Sequence, residues 1–181
     1  MVMKEKIITS DYKFKGRVFK TRVDRVELEN GHIAEREICE HNGGVCIAAL
    51  NENNEILLIK QFRSPYSEVI WEIPAGKLEV GEDALECGMR ELSEETGFTA
   101  QNWFDIGKLY PTPGYCTEIL YTYLATNLTP GNTHPDEDEY VDTYFIDIDK
   151  SVEMVMSNEI KDGKTQAAIL KVAHKIKNAQ L

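Results

Sequence analysis

Residues 76–98, which read GKLEVGEDALECGMRELSEETGF, contain the pattern that decides the fold. Within them the apolar residues Leu85, Met89 and Leu92 recur at the spacing of one helix face. Gly97 stands where a left-handed residue commonly ends a helix. The stretch therefore predicts one helix whose apolar stripe faces the core.

The predicted helix starts near Asp83 and carries carboxylates beside its apolar stripe. At about 100° per residue, Glu91 and Glu95 lie within about 40° of each other. Ala84 and Gly88 fall on the same angular stripe as Glu91 and Glu95, so the surface beneath the carboxylates carries almost no side chain. We expect a group other than protein to fit there.

Three acids near the predicted helix end, Glu91, Glu94 and Glu95, repel one another and face the negative end of the helix dipole. A hard divalent cation such as Mg²⁺ would turn this repulsion into attraction. The alternative is a solvated acidic face on which Arg90 pairs with Glu86 and Glu94. Spacing alone favours the solvated face, because a cluster of acids is weak evidence for a site.

The complete pattern of residues 76–98 is stronger evidence for a function than the acids alone. It consists of Gly76, five residues, Glu82, seven residues, Arg90-Glu91, an aliphatic residue, any residue, Glu94-Glu95, any residue, Gly97 and a final aromatic residue. This string resembles the Nudix box at every fixed position and without a gap. The resemblance implies an α/β Nudix fold, in which α-helices sandwich a mixed β-sheet. It also implies metal-dependent cleavage of a nucleoside diphosphate linked to another group.

The resemblance assigns roles to the box and to the residue before it. The implied ligands of Mg²⁺, with Mn²⁺ as the alternative, are the carbonyl of Ala75 and the carboxylates of Glu91, Glu94 and Glu95. Arg90 is expected to hold these glutamates in place, and Arg90 and Glu94 count among the catalytic residues. Glu82 takes a weaker metal-binding or structural position.

Sequence outside the box is similar to the ADP-ribose pyrophosphatase branch of the family. The similar stretches are residues 36–38, 61–63, 72–76 and the Pro-Gly loop at 110–118. The substrate-binding residues that they imply are Arg36, Glu37, Arg63, Pro113, Gly114 and Glu118. A guanidinium fork suits phosphate oxygens, so Arg63 and Arg36 are the candidates for charge recognition, with a surface cation as the alternative for each.

The branch implies hydrolysis of ADP-ribose to AMP and ribose 5-phosphate. Two alternatives stay open: a pyrophosphatase of GDP-mannose or another nucleoside diphosphate sugar, and a non-catalytic Nudix-like metabolite sensor. The intact set of acids argues against the sensor. The resemblance also places a catalytic base in the acidic loop at 136–139, with Glu137 first and Glu139 second. A solubilising acidic loop is the alternative.

The rest of the chain is mostly strand at first and helical at the end. Asn30-Gly31 predicts a β-hairpin within residues 18–39, and residues 45–50 and 56–59 predict a second hairpin. Further strands are predicted at residues 71–73, 103–109, 119–125 and 140–148. Helices are predicted at residues 152–156 and in a last segment that is entered at Asp162.

We divide the chain into an N-terminal β-strand segment, residues 1–44, and a Nudix hydrolase domain, residues 45–181. The early strands exceed what the implied core needs and must bury an apolar face. The resemblance implies a homodimer through this segment, with Arg36 reaching the partner's substrate. The expected interface or interdomain residues are Val18, Phe19, Val23, Val26 and Ile38.

Composition limits the partners of the 181-residue chain. With 20 Lys and Arg against 31 Asp and Glu, the net charge of −11 disfavours nucleic acid and anionic membranes. The longest apolar run, residues 45–50, is far shorter than the roughly 20 residues that a membrane helix needs. Four cysteines without a C-x-x-C pair, and no signal-like N-terminus, favour reduced thiols in the cytoplasm.

Overall fold

The computed structural model describes residues 4–133 and 142–179. In chain order its strands are β1 (Glu5–Lys15), β2 (Phe19–Leu28), β3 (Ile33–His41), β4 (Gly44–Ala49), β5 (Glu55–Arg63), β6 (Glu68–Glu72), β7 (Ala75–Lys77), β8 (Phe98–Leu109), β9 (Leu120–Pro130) and β10 (Asp142–Asp147). Its helices are α1 (Ala84–Thr96), α2 (Ile148–Met156) and α3 (Gly163–Lys177). Across these described ranges, no helix has the length and apolar character needed to cross a membrane.

The chain divides into two compact units. The first consists of the described residues up to Gly43 together with Tyr110–Ile119. The second consists of Gly44–Leu109 and the described residues from Leu120 onward. The first unit is therefore built from two stretches of chain that are far apart in sequence.

The first unit contains an antiparallel sheet in the order β1-β2-β3. The predicted hairpin is confirmed, since Glu27 pairs with Ile33 across the turn and Gly31 has a φ of 79°. That conformation favours glycine, which has no Cβ to clash. Strand β1 was not predicted, because its residues are exposed throughout and its charged and apolar residues do not alternate cleanly.

The second unit contains two sheets, one in the order β7-β4-β9-β8 and one in the order β10-β5-β6. The first is mixed, since β4 runs parallel to β9 and antiparallel to β7. The predicted second hairpin is wrong: β4 and β5 share only the bridge between Leu50 and Ile56 and then enter different sheets. Every residue of β4 is buried, and a continuous apolar run indicates burial without specifying the neighbouring strand.

Helices pack on both faces of the mixed sheet, as the predicted α/β class requires. Val45 of β4 belongs to an apolar cluster with Leu92 of α1. The next residue, Cys46, belongs to a second cluster with Ile169 of α3. Side chains alternate across a strand, so β4 supplies core to both helix layers.

Helix α1 begins and ends where the sequence predicted. The Asp83 side chain accepts hydrogen bonds from the amides of Leu85 at 2.9 Å and Glu86 at 3.2 Å. Gly97 ends the helix with a φ of 73° and donates its amide to the Ser93 carbonyl.

The predicted orientation of α1 is wrong in one respect. Met89 is 43% exposed, whereas Gly88 is buried and a Cβ there would lie 3.2 Å from Val45 Cγ2. The side-chain-free surface at Gly88 therefore seats the helix on β4 and leaves no room for a bound group. Hydrophobicity placed Met89 inside, but the close approach at Gly88 sets the rotation of the helix.

Candidate active site

Arg90 organises the acidic side chains of α1. Its Nη1 donates to Glu91 Oε1 at 2.8 Å and to Glu94 Oε2 at 2.9 Å, while its Nη2 donates to Glu82 Oε1 at 3.1 Å. Burial would lower the pKa of Arg90, but the charge of Glu91 and the hydrogen bonds to all three carboxylates raise it above the usual range. The guanidinium is thus permanently charged and holds three acids around it.

Strand β7 approaches the same helix without an intervening side chain. A Cβ on Gly76 would lie 1.8 Å from Glu91 Cδ, so any other residue there would force the Glu91 carboxylate to move. Next to it, the amide of Ala75 donates to Glu95 Oε2 at 3.2 Å. Glu95 is 4% exposed, so the Ala75 amide stabilises a buried carboxylate.

The donor chemistry of this region fits a hard divalent cation. Glu91, Glu94 and Glu95 supply carboxylate oxygens within two helical turns, and the missing Cβ of Gly76 leaves β7 against them. Within residues 4–133 and 142–179, however, no group of three or more His, Cys, Asp or Glu side chains is arranged to enclose a metal ion. Glu91 and Glu94 face Arg90, and Glu95 faces the Ala75 amide.

Arg63, which the family resemblance named as a substrate contact, lies at the end of β5 and takes part in an ion-pair network around the buried Glu72. Its Nη2 donates to Glu72 Oε2 at 2.7 Å, and Lys164 pairs with the same carboxylate. Lys164 Nζ also lies 3.1 Å from Asp162 Oδ2. The hydrogen bond that Arg63 donates to Glu72 raises the pKa of Arg63, and burial opposes this rise. The charge of Glu95 also contributes to the rise, which places Arg63 in the field of that α1 acid.

Glu72 is the residue of this network that sequence reasoning missed as a functional candidate. It is 1% exposed. Burial alone would raise the pKa of the Glu72 carboxyl, but the Arg63 hydrogen bond and Lys164 lower it below the usual value. The available signal was a glutamate inside a short apolar strand, because a buried carboxylate needs a cationic partner.

The remaining described candidates lie in the first unit. Arg36 donates Nη2 to Glu5 Oε1 at 2.6 Å and Nε to Glu5 Oε2 at 3.1 Å. Glu37 is exposed on β3, and Pro113 and Gly114 are exposed in the segment at 110–119. Glu118 Oε1 lies 3.5 Å from His41 Nδ1. The predicted bases Glu137 and Glu139 lie outside the described residues.

We predict that Glu72→Gln lowers the free energy of unfolding at neutral pH by about 3–5 kcal/mol, because it removes the buried carboxylate that pairs with both Arg63 and Lys164. The measurement is urea denaturation followed by circular dichroism. Glu68→Gln on the same strand is the matched control, since Glu68 pairs with Lys161 at an exposed site and should change stability little.

The contribution of Glu72 to the free energy of unfolding should depend on pH in a direction set by its lowered pKa. Because the folded pKa of Glu72 lies below the usual 4.5, its carboxylate stabilises the fold above that pH. This contribution is lost as the pH falls through the lowered value. The stability difference between wild type and Glu72→Gln should therefore shrink in acid, and a difference that is constant with pH would contradict the ion pair.

Comparison with known proteins gives the family to which the chain belongs. The NUDIX domain model matches residues 40–166. An ADP-ribose pyrophosphatase of Bacillus subtilis (strain 168) is 40% identical over 169 residues, covering 92% of this chain and 91% of that protein. A methanol dehydrogenase activator of Bacillus methanolicus is 38% identical, with 93% and 92% covered.

A solved structure gives the same result for the fold. The crystal structure of an ADP compounds hydrolase superposes with a TM-score of 0.87 at 21% identity, covering 99% of this chain and 97% of the other. At that identity the likeness concerns the fold, and it confirms the predicted mixed α/β architecture. With a family model matching most of its length and a relative at 40% identity, the chain belongs to the Nudix family.

Proposed function

We propose that this protein is a Nudix pyrophosphohydrolase that cleaves the diphosphate of ADP-ribose into AMP and ribose 5-phosphate. The observation that carries the proposal is the set of acids that Arg90 holds at the end of α1, against β7. The name of the 40% identical relative supports ADP-ribose as the substrate. Cytoplasmic location is part of the proposal and rests on the reduced cysteines expected from the sequence.

The proposed metal is Mg²⁺, with Mn²⁺ as the alternative. Glu91, Glu94, Glu95 and the carbonyl of Ala75 would hold it. When bound, the ion supplies neutralisation of the diphosphate charge and a lower pKa for the attacking water. The protein needs this compensation because its own net charge of −11 repels an anionic substrate.

Arg63 is the proposed diphosphate contact from the protein itself. Its side chain is 37% exposed, and Glu72 binds its inner edge through Nε and Nη2. The Glu72 hydrogen bond raises the pKa of Arg63, which keeps the guanidinium charged. Glu72 and Lys164 therefore act as positioning residues that hold Arg63 in the field of the α1 acids.

The nucleoside contacts are proposed in the first unit. Arg36 is the charged candidate there, together with Glu37, Pro113, Gly114 and Glu118. Arg36 must exchange its contact with Glu5 to bind substrate, and Glu5 is a solvent-exposed partner at this position. Exposed pairs contribute little to stability, so such an exchange costs little.

Proton removal from the attacking water is proposed for Glu137, with Glu139 as the second candidate. The same Glu→Gln substitution at the two positions allows a direct comparison of their kcat values. Glu137→Gln should lower kcat about 10²-fold or more with KM little changed, because a general base acts in the chemical step. Loss of activity in Glu139→Gln instead would assign the base to Glu139. Asp138→Asn, in the same loop, is the control.

A second prediction concerns the proposed metal ligands. Glu91→Gln or Glu95→Gln should lower turnover of ADP-ribose about 10²-fold or more, and Glu94→Gln should have a milder or comparable effect. Glu86→Gln on the exposed first turn of α1 is the control. Wild-type turnover in the Glu91 or Glu95 variant would remove that residue from the site.

Glu95 needs a stability control that the sequence did not indicate. Glu95 is buried and accepts a hydrogen bond from the Ala75 amide, so its substitution can also change stability. Circular dichroism and thermal denaturation must accompany the kinetics. Isothermal titration with Mg²⁺ gives a separate readout, because the variants should bind the metal more weakly while remaining folded.

A substrate panel separates this proposal from its alternatives. With Mg²⁺ present, ADP-ribose should be cleaved faster than GDP-mannose, ADP-glucose, NADH or diadenosine polyphosphates. Preference for GDP-mannose would move the chain to that class of pyrophosphatase. A folded, metal-loaded protein that turns over none of them would be a sensor or an activator of another protein. The name of the second relative is the reason for including the activator.

A twofold dimer through the first unit is the third part of the proposal. The sheet exposes a series of large apolar side chains, namely Ile7, Ile8, Tyr12, Phe14, Val18, Phe19 and Ile33. Val26 is buried and Val23 is half-buried, so the predicted interface set divides between core and surface. Exposed apolar patches of this kind favour protein–protein contact.

Light scattering tests the dimer. We expect a mass near twice 20.6 kDa at micromolar concentration, and Phe19→Glu should lower it to a single chain. Phe19 is 41% exposed, so this change should leave the fold of each chain intact. Lys13→Glu, at an exposed salt-bridged position on the same sheet, is the charge control. A single-chain mass with full activity would contradict a shared site.

A further inference from the structure

Two cysteines from distant parts of the chain meet within the first unit. Cys39 on β3 and Cys116 in the segment at 110–119 face each other in a parallel bridge. The Cys39 amide donates to the Tyr115 carbonyl at 2.7 Å, and the Thr117 amide donates to the Cys39 carbonyl at 2.9 Å. These two bonds fix Cys116 directly opposite Cys39.

The bridge gives the pair a geometry that suits a disulfide. Neighbouring strands lie about 4.8 Å apart, and directly paired residues project to the same face. A disulfide requires Cα atoms roughly 4.4–6.8 Å apart. Burial and the neighbouring Cys116 thiol raise the pKa of Cys39.

Packing and metal binding do not account for this pair. Cys46 and Cys87 belong to the apolar clusters of the second unit, whereas Cys39 and Cys116 are half-buried thiols outside both clusters. In the part of the chain that the structure describes, no three or more Cys, His, Asp or Glu side chains group around a metal ion. The bridge thus places two oxidisable groups opposite each other.

We propose that Cys39 and Cys116 are a reversible thiol–disulfide site that clamps the segment at 110–119 to β3. With oxidised glutathione as the oxidant, one cysteine thiolate attacks the glutathione disulfide and releases one glutathione thiolate. The other cysteine thiolate then attacks the mixed disulfide and releases the second glutathione. The two cysteines lose two protons and two electrons, and one oxidised glutathione becomes two reduced ones.

The clamp acts on a segment whose other links to β3 are noncovalent. Besides the two bridge bonds, the side chain of Thr117 joins the segment to β3, by accepting from the His41 amide at 2.9 Å and donating to the His41 carbonyl at 3.2 Å. A covalent link at Cys39 would suppress opening of this segment. The site does not depend on which nucleotide the protein hydrolyses.

Mass spectrometry of the full-length protein tests the link without measuring turnover. The protein is equilibrated in oxidised and reduced glutathione at mildly alkaline pH, because thiolates react and the pKa of Cys39 is raised. After alkylation, cleavage at glutamates without reductant should yield residues 38–40 joined to residues 96–118. This digest separates Cys39 from Cys46, and Cys46→Ala should give the same joined pair.

Two cysteine variants make the result decisive. In Cys39→Ser the reaction should stop at glutathione bound to Cys116, and wild type should hold at least about tenfold less of this adduct, because Cys39 resolves it. Equal adduct in both proteins, or free thiols in wild type under conditions that modify Cys39→Ser, would overturn the disulfide. Cys116→Ser should likewise yield no joined pair.

Hydrogen exchange tests the clamp itself. In the oxidised protein the Thr117 amide should exchange about tenfold more slowly than in the reduced protein. Amides of α3 in the second unit should not change. Unaltered exchange at Thr117 in fully oxidised protein would show that the link does not restrain the segment.

Discussion

The close passage of strand β7 over the end of helix α1 is the constraint on which the candidate site depends. A single methyl group at Gly76 would lie 1.8 Å from the Glu91 carboxyl carbon and would displace that side chain. Because that methyl is absent, the backbone of β7 reaches the acids directly, and the Ala75 amide bonds the buried Glu95. Arg90 then supplies the positive charge that lets its neighbouring acids stand together.

Charge is balanced by the same means a short distance along the chain. Glu72 is an anion surrounded by the cations Arg63 and Lys164, whereas Arg90 is a cation surrounded by anions. Each arrangement pairs its charges in a partly buried environment, where an unpaired charge is costly. One unit of the fold therefore holds both a fixed group of acids and a fixed group of cations.

Local sequence rules predicted what local interactions determine. Asp83 and Gly97 set the ends of α1, and Asn30-Gly31 sets a hairpin, because each acts through backbone atoms within a few residues. The partner of β4 was mispredicted because apolar runs specify burial and leave the neighbouring strand undetermined.

The site was predictable to a smaller extent. The family pattern named the acids of α1, but the depth of Glu95 and the role of Glu72 depend on contacts between distant residues. The orientation of Met89 was wrong for the same reason, since the seat at Gly88 belongs to a tertiary contact with Val45. The family pattern thus predicts which side chains carry chemistry, and packing decides how they are presented.

The parallel pairing of Gly44 with Leu120 has a consequence for biosynthesis. Strand β4 leaves the ribosome long before β9, and at about 5–20 residues per second the interval is roughly 4–15 s. During that time a strand buried on both faces in the native protein has an unsatisfied edge and an uncovered apolar surface. The nascent chain is then at its most aggregation-prone, and slower translation beyond β8 would lengthen that exposure.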